Sequence, residues 1–439
     1  MLLVDFDFPP STDYRTLGAM QEVFGFAVEK ETCAERVMAG DLHRQLAAFD
    51  AFGTATDVGI SEHDGVEVPV YVNEFWTAKQ RAAHKLHEVS YRACFKPQLP
   101  RFFIDRLTKP GELVLDPFMG RGTTIVESIL RDRRAAGNDI NPISPMLVAP
   151  RVDPPELTEV AARLRDLDLR FTGDLPEELL TFYQEDTLKE LSALREHLKE
   201  AGSGADRIDQ WIRMTATNRL TGHSPGFFSV YTLPPNQAVT VKRQRIINEK
   251  RNQTPEYRDV RKLILRKSKS LLKEITPENR RSFAQYGSTV NLGVGSADNL
   301  DHIEDGSVAL VVTSPPFLNV VQYAIDNWLR CWFNGIDADA IPIWDFRKVE
   351  DWQAAMTRVF KELRRVLKPG GHVAFEVGEV RKGKVKLEDY VIPAGIDAGL
   401  HPELVLINAQ EFTKTANCWG IDNQKLGTNT NRIVLFRKD

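Results

Sequence analysis

The sequence predicts an α/β protein: a doubly wound, mostly parallel sheet interrupted by a helical, basic inserted module. Three observations carry that expectation. The apolar run Leu113-Val114-Leu115 breaks into the Gly-rich turn Asp116-Pro117-Phe118-Met119-Gly120-Arg121-Gly122 and becomes helical from Thr123, which reads as strand, tight loop, helix. After residue 288, apolar strands again alternate with helical periodicity, the pattern of parallel strands joined by helices. Between about 151 and 285 the alternation lapses into consecutive helical patterns, and the stretch 242–281 is rich in Lys and Arg.

At 439 residues the chain exceeds the usual single-domain size, so one large domain with an insertion, or two domains, is expected. Hydrophobic content of 42% and charged content of 27% are ordinary for a globular protein. No apolar run approaches the roughly 18–20 residues of a membrane span, and Asp5 and Asp7 near the start are unlike a basic signal sequence. A cytoplasmic protein without a membrane partner is the expectation. Cys33, Cys94, Cys331 and Cys418 form no CxxC pair, so neither a disulfide framework nor a metal site is indicated. The net charge of −4 does not announce a polyanion binder, but a basic face on an acidic protein can still engage phosphates.

In chain order, residues 1–72 are acidic and weakly periodic, and read as an N-terminal extension. From Asn73 the spacing of Ala82, Ala83, Leu86 and Val89 against Lys79, Arg81 and Lys85 predicts an amphipathic helix, and a second helix over Arg101–Leu107 would pack Phe102, Phe103 and Ile104 on the sheet. The strand at Leu113, its turn and its helix lead to a second strand, Ala135–Ile140, so 73–150 forms one half of the domain. The span 151–287 is the inserted module, with helices over Leu157–Leu169, Leu188–Leu198, Ile208–Leu220 and about Pro255–Glu274. Its basic residues include Lys242, Arg243, Arg245, Lys250, Arg261 and Lys267. They suit phosphate neutralisation, though a solvated basic helix has the same composition. The span 288–439 resumes the sheet with strands at Val290–Gly295, Val308–Val312, His372–Val377, Leu404–Ile407 and Arg432–Phe436, and helices over Trp352–Leu367 and Leu387–Ala398.

The turn after Leu115 has a particular chemistry. Gly120 and Gly122 allow sharp bending and close approach of a ligand to the backbone. Asp116 places a carboxylate where a phosphate site would have none, which favours a cationic nucleotide-like ligand over a pyrophosphate. S-adenosyl-L-methionine, with its ammonium and sulfonium, fits. A Gly-rich loop that binds nothing has the same residues. Asp139, about 20 residues on, stands where doubly wound sheets bind ribose hydroxyls, or else caps the following helix. Ser314-Pro315-Pro316-Phe317 ends the apolar strand at Val308–Val312. Its two prolines fix φ and remove N–H donors, leaving rigid acceptors beside an aromatic surface on which a base could stack; a simple strand-terminating turn is the plainer alternative. His84, His87 and His223 have no metal or acid pattern and read as structural.

The two motifs together resemble the amino-methylating DNA methyltransferases, whose cofactor motif is similar to Asp116-Pro117-Phe118-Met119-Gly120-Arg121-Gly122-Thr123-Thr124 and whose catalytic motif is similar to Ser314-Pro315-Pro316-Phe317. With Thr313 before it, the serine form is most similar to the cytosine-N4 branch; Asp or Asn is usual in the adenine-N6 branch. The resemblance covers about 73–150 and 288–439. It implies a Rossmann-like methyltransferase fold, S-adenosyl-L-methionine as cofactor, double-stranded DNA as substrate, and a place in a restriction-modification system beside a cognate restriction endonuclease. It implies that Phe118, Gly120, Gly122, Thr123, Thr124 and Thr313 shape the cofactor pocket. Asp116 would face the methionine ammonium, Asp139 the ribose and Asp298 the adenine, while Lys96 and Pro97 would belong to a segment over the methionine end. Ser314, Pro315, Pro316 and Phe317 would be catalytic, and the insert would recognise the target. Carbon-5 methylation needs a nucleophilic cysteine, usually after a proline, and no cysteine here follows one. Adenine-N6 and RNA-directed relatives remain as alternatives.

Overall fold

In chain order, the computed structural model contains α1 (Asp41–Ala47), β1 (Asp57–His63), β2 (Val66–Asn73), α2 (Gln98–Leu107), β3 (Leu113–Asp116), α3 (Thr123–Leu130), β4 (Arg134–Asp139) and α4 (Ile143–Val152). The helical region follows: α5 (Leu157–Asp166), α6 (Glu185–Ala201), α7 (Arg207–Thr217), α8 (Val241–Arg251), α9 (Val260–Leu272) and α10 (Pro277–Tyr286). Then come β5 (Asn291–Val294), β6 (Val308–Thr313), α11 (Tyr323–Asn334), α12 (Val349–Val366), β7 (Leu367–Val377), the short pair β8 (Glu379–Val380) and β9 (Val385–Lys386), α13 (Glu388–Asp397), β10 (His401–Ala409) and β11 (Thr430–Arg437). The structure describes residues 41–63, 65–77, 83–92, 94–202, 206–232, 239–317, 323–380, 385–409 and 430–439.

Nine strands form one mixed sheet in the order β1-β2-β10-β11-β7-β6-β3-β4-β5. Strands β7, β6, β3, β4 and β5 pair in parallel throughout, and β11 runs antiparallel between β7 and β10. β6 is central because all six of its residues are buried, as a parallel strand covered on both faces requires. At the other extreme, Val294 of the edge strand β5 is 57% exposed. The chain winds outward from β3 to β4 and β5 on one side, and from β6 to β7 on the other. The switch therefore falls between adjacent β3 and β6, and a cleft opens there beyond the carboxyl ends of the strands.

Helices cover both faces. α12 buries Trp352, Ala355, Met356, Val359, Phe360, Leu363 and Val366 at helical spacing against the sheet. On the opposite face α2 buries Leu99, Phe102, Phe103 and Ile104, and Phe102 meets Phe75 and Trp76 edge-on or tilted at ring distances of 5.7 and 5.4 Å.

Two expectations need correction. The 1–72 extension contains β1 and most of β2, which join the sheet through parallel pairing of β2 with β10; Val68, Val70, Tyr71 and Val72 are buried there, so apolar alternation on one strand outweighed the acidic composition around it. The amphipathic helix from Asn73 is not found among the described residues of that stretch: Lys85–His87 is a single 3₁₀ turn, although Leu86 and Val89 are buried as anticipated, and 78–82 lie outside the described residues. The insert packs directly on the cofactor half, a contact the helical periodicity alone does not specify. Its Trp211, Leu188, Leu194 and Ile264 share one core with Ile125, Ile129, Leu147 and Val148 of α3 and α4. Among the described residues no helix is long and apolar enough to cross a membrane.

Candidate active site

Asp116 ends β3 and is 1% exposed. Its Oδ1 accepts from the Phe118 N–H at 3.1 Å and from the Thr313 hydroxyl, at the tip of β6, at 2.6 Å. Burial pushes its carboxyl up to about 7 against the pull of those donors. The Thr124 hydroxyl donates to the Val312 carbonyl at 3.0 Å, so the turn and β6 are joined twice.

Two glycines let the turn form. Gly120 and Gly122 lie at φ 49° and 70°, the left-handed region. A Cβ on Gly122 would sit 2.4 Å from Val148 Cγ2, and one on Gly120 would meet Tyr91 Cε1 at 3.4 Å. Asp139, half-buried at the end of β4, holds the far side of the turn: its Oδ2 accepts from the Gly120 N–H at 2.7 Å and its Oδ1 from the Asn141 N–H at 2.8 Å. Burial lifts this carboxyl too, to about 6.

Arg121 points away from the cleft and staples the segment before α2 to the turn. It donates to the carbonyls of Val89 at 3.1 Å, His87 at 3.3 Å and Phe95 at 3.4 Å. Arg151, fully buried, repeats the device from α4 with bonds to the carbonyls of Leu86, Leu147 and Arg121. Two guanidiniums therefore do what regular secondary structure does elsewhere and hold an irregular strap, 86–95, against the turn.

On the other side of the switch, Ser314 stands near the carboxylate of Glu376 in β7, and its hydroxyl counters the effect of burial on that carboxyl. Glu376 is buried, accepts from Asn431 Nδ2 of β11, and is pushed up to about 7 by its burial. The Trp352 indole N–H donates to the Pro316 carbonyl at 2.9 Å, fixing the Pro-Pro turn. Phe317 lies over Gly378, where a side chain's Cβ would come within 3.1 Å of its ring. From the loop between α11 and α12, Trp344 meets Phe118 edge-on at 6.2 Å and Phe346 at 5.6 Å.

These parts enclose one cavity. Tyr91, Cys94 and Phe95 line it from the strap, Phe118, Gly120 and Thr123 from the turn, and Asp139, Ile140 and Asn141 from beyond β4. Ser296 and Ala297, Ser314 and Pro316, and Pro342 to Trp344 complete it. Six anticipated residues thus meet on one wall: Phe118, Gly120, Thr123, Asp139, Ser314 and Pro316. Asp116, Gly122, Thr124, Thr313 and Pro315 lie behind that wall, and Phe317 lies beside it. Lys96 and Pro97 yield the lining position to their neighbour Phe95. Asp298 faces away, paired with Arg358 at 2.9 Å and accepting from the Ser296 hydroxyl; the lining at that point comes from Ser296 and Ala297. Glu376 and Trp344 were not anticipated. Glu376 did carry a signal, a single acid in the otherwise apolar run Val373-Ala374-Phe375-Glu376-Val377; Trp344 lies in a loop with no periodicity to place it.

Residues 54–143 match the family model described as DNA methylase. This DNA methylase segment contains the strap, the Gly-rich turn and Asp139, and it begins just before β1, so the added hairpin belongs to the matched stretch. Over 146 residues, 33% of this chain, the protein is 30% identical to the Type II methyltransferase M.MvaI of Kocuria varians, covering 29% of that protein. Over 89 residues, 20% of this chain, it is 29% identical to the Type II methyltransferase M.MjaII of Methanocaldococcus jannaschii, covering 17% of it. The chain therefore matches less than a third of the length of either relative. Among solved structures, geranyl diphosphate C-methyltransferase from Streptomyces coelicolor A3(2) shares 9% identity over 78% of this chain and 76% of its own, with a TM-score of 0.32.

Proposed function

We propose that the protein is an S-adenosylmethionine-dependent DNA methyltransferase that modifies the exocyclic N4 amine of a cytosine turned out of the duplex. The observation that carries this reading is the 2.6 Å hydrogen bond from Thr313 to Asp116, which sets the Gly-rich turn and Ser314 on one cavity. The DNA methylase match over 54–143 and the two Type II relatives support it. A role beside a cognate restriction endonuclease, implied by the resemblance of the motifs, belongs to the same reading.

The residues present fit the cofactor. Among the described residues no Lys or Arg lines the cavity and one carboxylate, Asp139, does, a donor set that favours a cation. The missing side chain at Gly120 leaves the turn's backbone open to close approach from the cavity. Asp139 would hold the ribose, Ile140, Ala297 and Trp344 the adenine, and Phe118, Gly120 and Thr123 the methionine end. When bound, the cofactor supplies an electrophilic methyl group.

The chain's own residues prepare the amine. A cytosine amino group is a poor nucleophile because its lone pair is delocalised into the ring. With its hydrogen turned towards Glu376, the Ser314 oxygen on the cavity wall presents lone pairs to the amine. Neither proline has an N–H to compete. As nitrogen takes the methyl it sheds one proton to Ser314 Oγ, while the original Ser314 proton passes to Glu376; nitrogen ends neutral and Glu376 protonated, and no covalent enzyme intermediate forms. Phe317 and Trp344 provide aromatic faces for the base. Serine at position 314 is what favours cytosine over adenine.

The test is incubation with duplex DNA and methyl-labelled cofactor, followed by mass spectrometry of the nucleosides. N4-methylcytosine is expected. N6-methyladenine alone would overturn the base assignment, and label in RNA but not in DNA would overturn the substrate.

A further inference from the structure

Several basic residues of the insert have structural partners, although Lys262, Arg266 and Lys269 of α9 are exposed and make no ion pair among the described residues. Arg261 caps the end of α5 by donating to the Leu164 and Leu167 carbonyls at 2.8 and 2.6 Å, Lys267 pairs with Glu88 at 3.5 Å, and Arg280 binds the Pro155 carbonyl at 3.2 Å and Glu156 at 3.0 Å. Arg281 pairs with Glu278.

α8 carries Lys242, Arg243, Arg245, Lys250 and Arg251 against a single acid, Glu249. Arg251 lies over the Tyr231 ring at 3.8 Å, but Lys242, Arg243, Arg245 and Lys250 are exposed and make no ion pair among the described residues. Only Gln244 of this helix is buried. The helix is moored by amide hydrogen bonds: Gln244 Nε2 to the Tyr231 carbonyl at 3.0 Å and Asn248 Nδ2 to the Thr181 carbonyl at 2.8 Å. Val241 and Ile247 pack half-buried against the core, while the outer face carries the four cations without a structural task. Ile246, 44% exposed, lies among them.

The position of α8 adds a second argument. The Trp328 indole N–H donates to the Val239 carbonyl, just ahead of α8, at 3.2 Å. Trp328 belongs to α11, the first helix after the Ser314–Phe317 turn, and the same helix holds the cavity strap through Asp326 and Arg92 at 2.6 Å. The cationic helix and the cavity wall are therefore fastened to one element.

The geometry points to α8 as the helix that lies against duplex DNA, with Lys242, Arg243, Arg245 and Lys250 on its phosphates. This rests on the DNA methyltransferase reading and deepens it, since it selects a helix of the insert that α11 fastens to the cavity wall. Eleven residues of helix span about 16 Å, enough for cations along it to reach phosphates on both sides of a major groove about 12 Å wide. The charge complementarity is local: the chain as a whole carries −4.

The experiment compares the full-length protein with a variant carrying Lys242→Gln, Arg243→Gln, Arg245→Gln and Lys250→Gln, and with a control carrying Arg165→Gln and Arg170→Gln on the insert's surface. Duplex affinity is measured by fluorescence anisotropy between about 50 and 200 mM salt, with cofactor binding by calorimetry as the check on folding. Each lost phosphate contact lowers the slope of log affinity against log salt by about 1, so the α8 variant should lose at least ~2 of slope and at least tenfold in affinity, with cofactor binding retained and the control unchanged. An unchanged slope in the α8 variant, with methylation by the wild type intact, overturns the assignment to α8 alone. Stronger competition by structured RNA than by duplex DNA overturns the occupant. A wild type that neither binds nor methylates duplex DNA overturns the underlying reading.

Discussion

Thr313 Oγ1 donates to Asp116 Oδ1 at 2.6 Å across 197 residues of chain, inside a fully buried junction between the tips of β6 and β3. It is the point at which the two halves of the cleft are registered. Thr313→Val keeps the shape and removes the donor, leaving a buried acceptor with one partner fewer, which costs about 1–3 kcal/mol. Denaturant titration should show that loss, and the KM for S-adenosylmethionine should rise roughly tenfold, the equivalent of ~1.4 kcal/mol. A variant with wild-type stability and KM would mean that the turn is positioned by Asp139 and the Arg121 strap alone.

Glu376 should make the reaction pH-dependent. Its carboxyl, pushed up to about 7 by burial, can take up the Ser314 proton only when ionised. Turnover at saturating cofactor and DNA should therefore climb with pH through about 7 and level above it. Glu376→Gln cannot take up the proton; its turnover should fall by about 10²-fold and lose the rising limb. Asp139 and Asp116 titrate in a similar range, but they act on cofactor affinity, so their influence should be seen in the KM for the cofactor and not in turnover at saturation.

The division between what the residues foretold and what they hid is physical. The central strands were readable because a strand buried on both faces must be apolar along its length, as Val308–Thr313 is. The Gly-rich turn was readable because left-handed backbone at positions 120 and 122 selects glycine. The β1-β2 hairpin was missed because His63, Glu62 and Glu67 at its turn end mask the apolar alternation at Val68, Val70 and Val72. The strap at 86–95 has no periodicity, since its carbonyls are satisfied by Arg121 and Arg151 from elsewhere in the chain. Asp298 could not be placed from the sequence, because Arg358, 60 residues later, engages its carboxylate.

Gly122 tests the turn independently of chemistry. At φ 70° any other residue incurs the left-handed penalty of about 1–2 kcal/mol, and an added methyl would stand 2.4 Å from Val148 Cγ2, an overpacking of about 1–3 kcal/mol. Gly122→Ala should lose at least ~2 kcal/mol in urea titration. Adding Val148→Ala should relieve the steric part and leave the backbone part, so a double variant restored to wild-type stability would show that φ carries no strain.

Trp344 is the loop residue that caps the cavity opposite the turn, braced by Phe118 at 6.2 Å and Phe346 at 5.6 Å. A planar adenine beside it gains stacking of about 1–3 kcal/mol, so Trp344→Ala should weaken cofactor binding by about tenfold or more in calorimetry. Trp344→Phe should recover most of it. Equal affinity in Trp344→Ala would place the adenine elsewhere in the cavity.

Asp116 predicts a conflict between stability and function. Its carboxyl has an ordinary value of 3.8 and a folded value of about 7, so the folded state binds the proton more tightly than the unfolded state. The stabilisation from that proton is complete below about pH 4 and is lost as pH rises towards 7, a swing of at most about 4 kcal/mol. Asn at this position still accepts from Thr313 and Phe118 without a charge. Asp116→Asn should therefore flatten this part of the stability profile and leave the protein more stable than wild type at about pH 8, while its affinity for a cationic cofactor falls. The buried carboxyls of Asp139 and Glu376 contribute slopes of the same sign to both proteins and cancel in the difference. A variant less stable than wild type under those alkaline conditions would show that the ionised carboxylate gains more from its hydrogen bonds than it loses by burial.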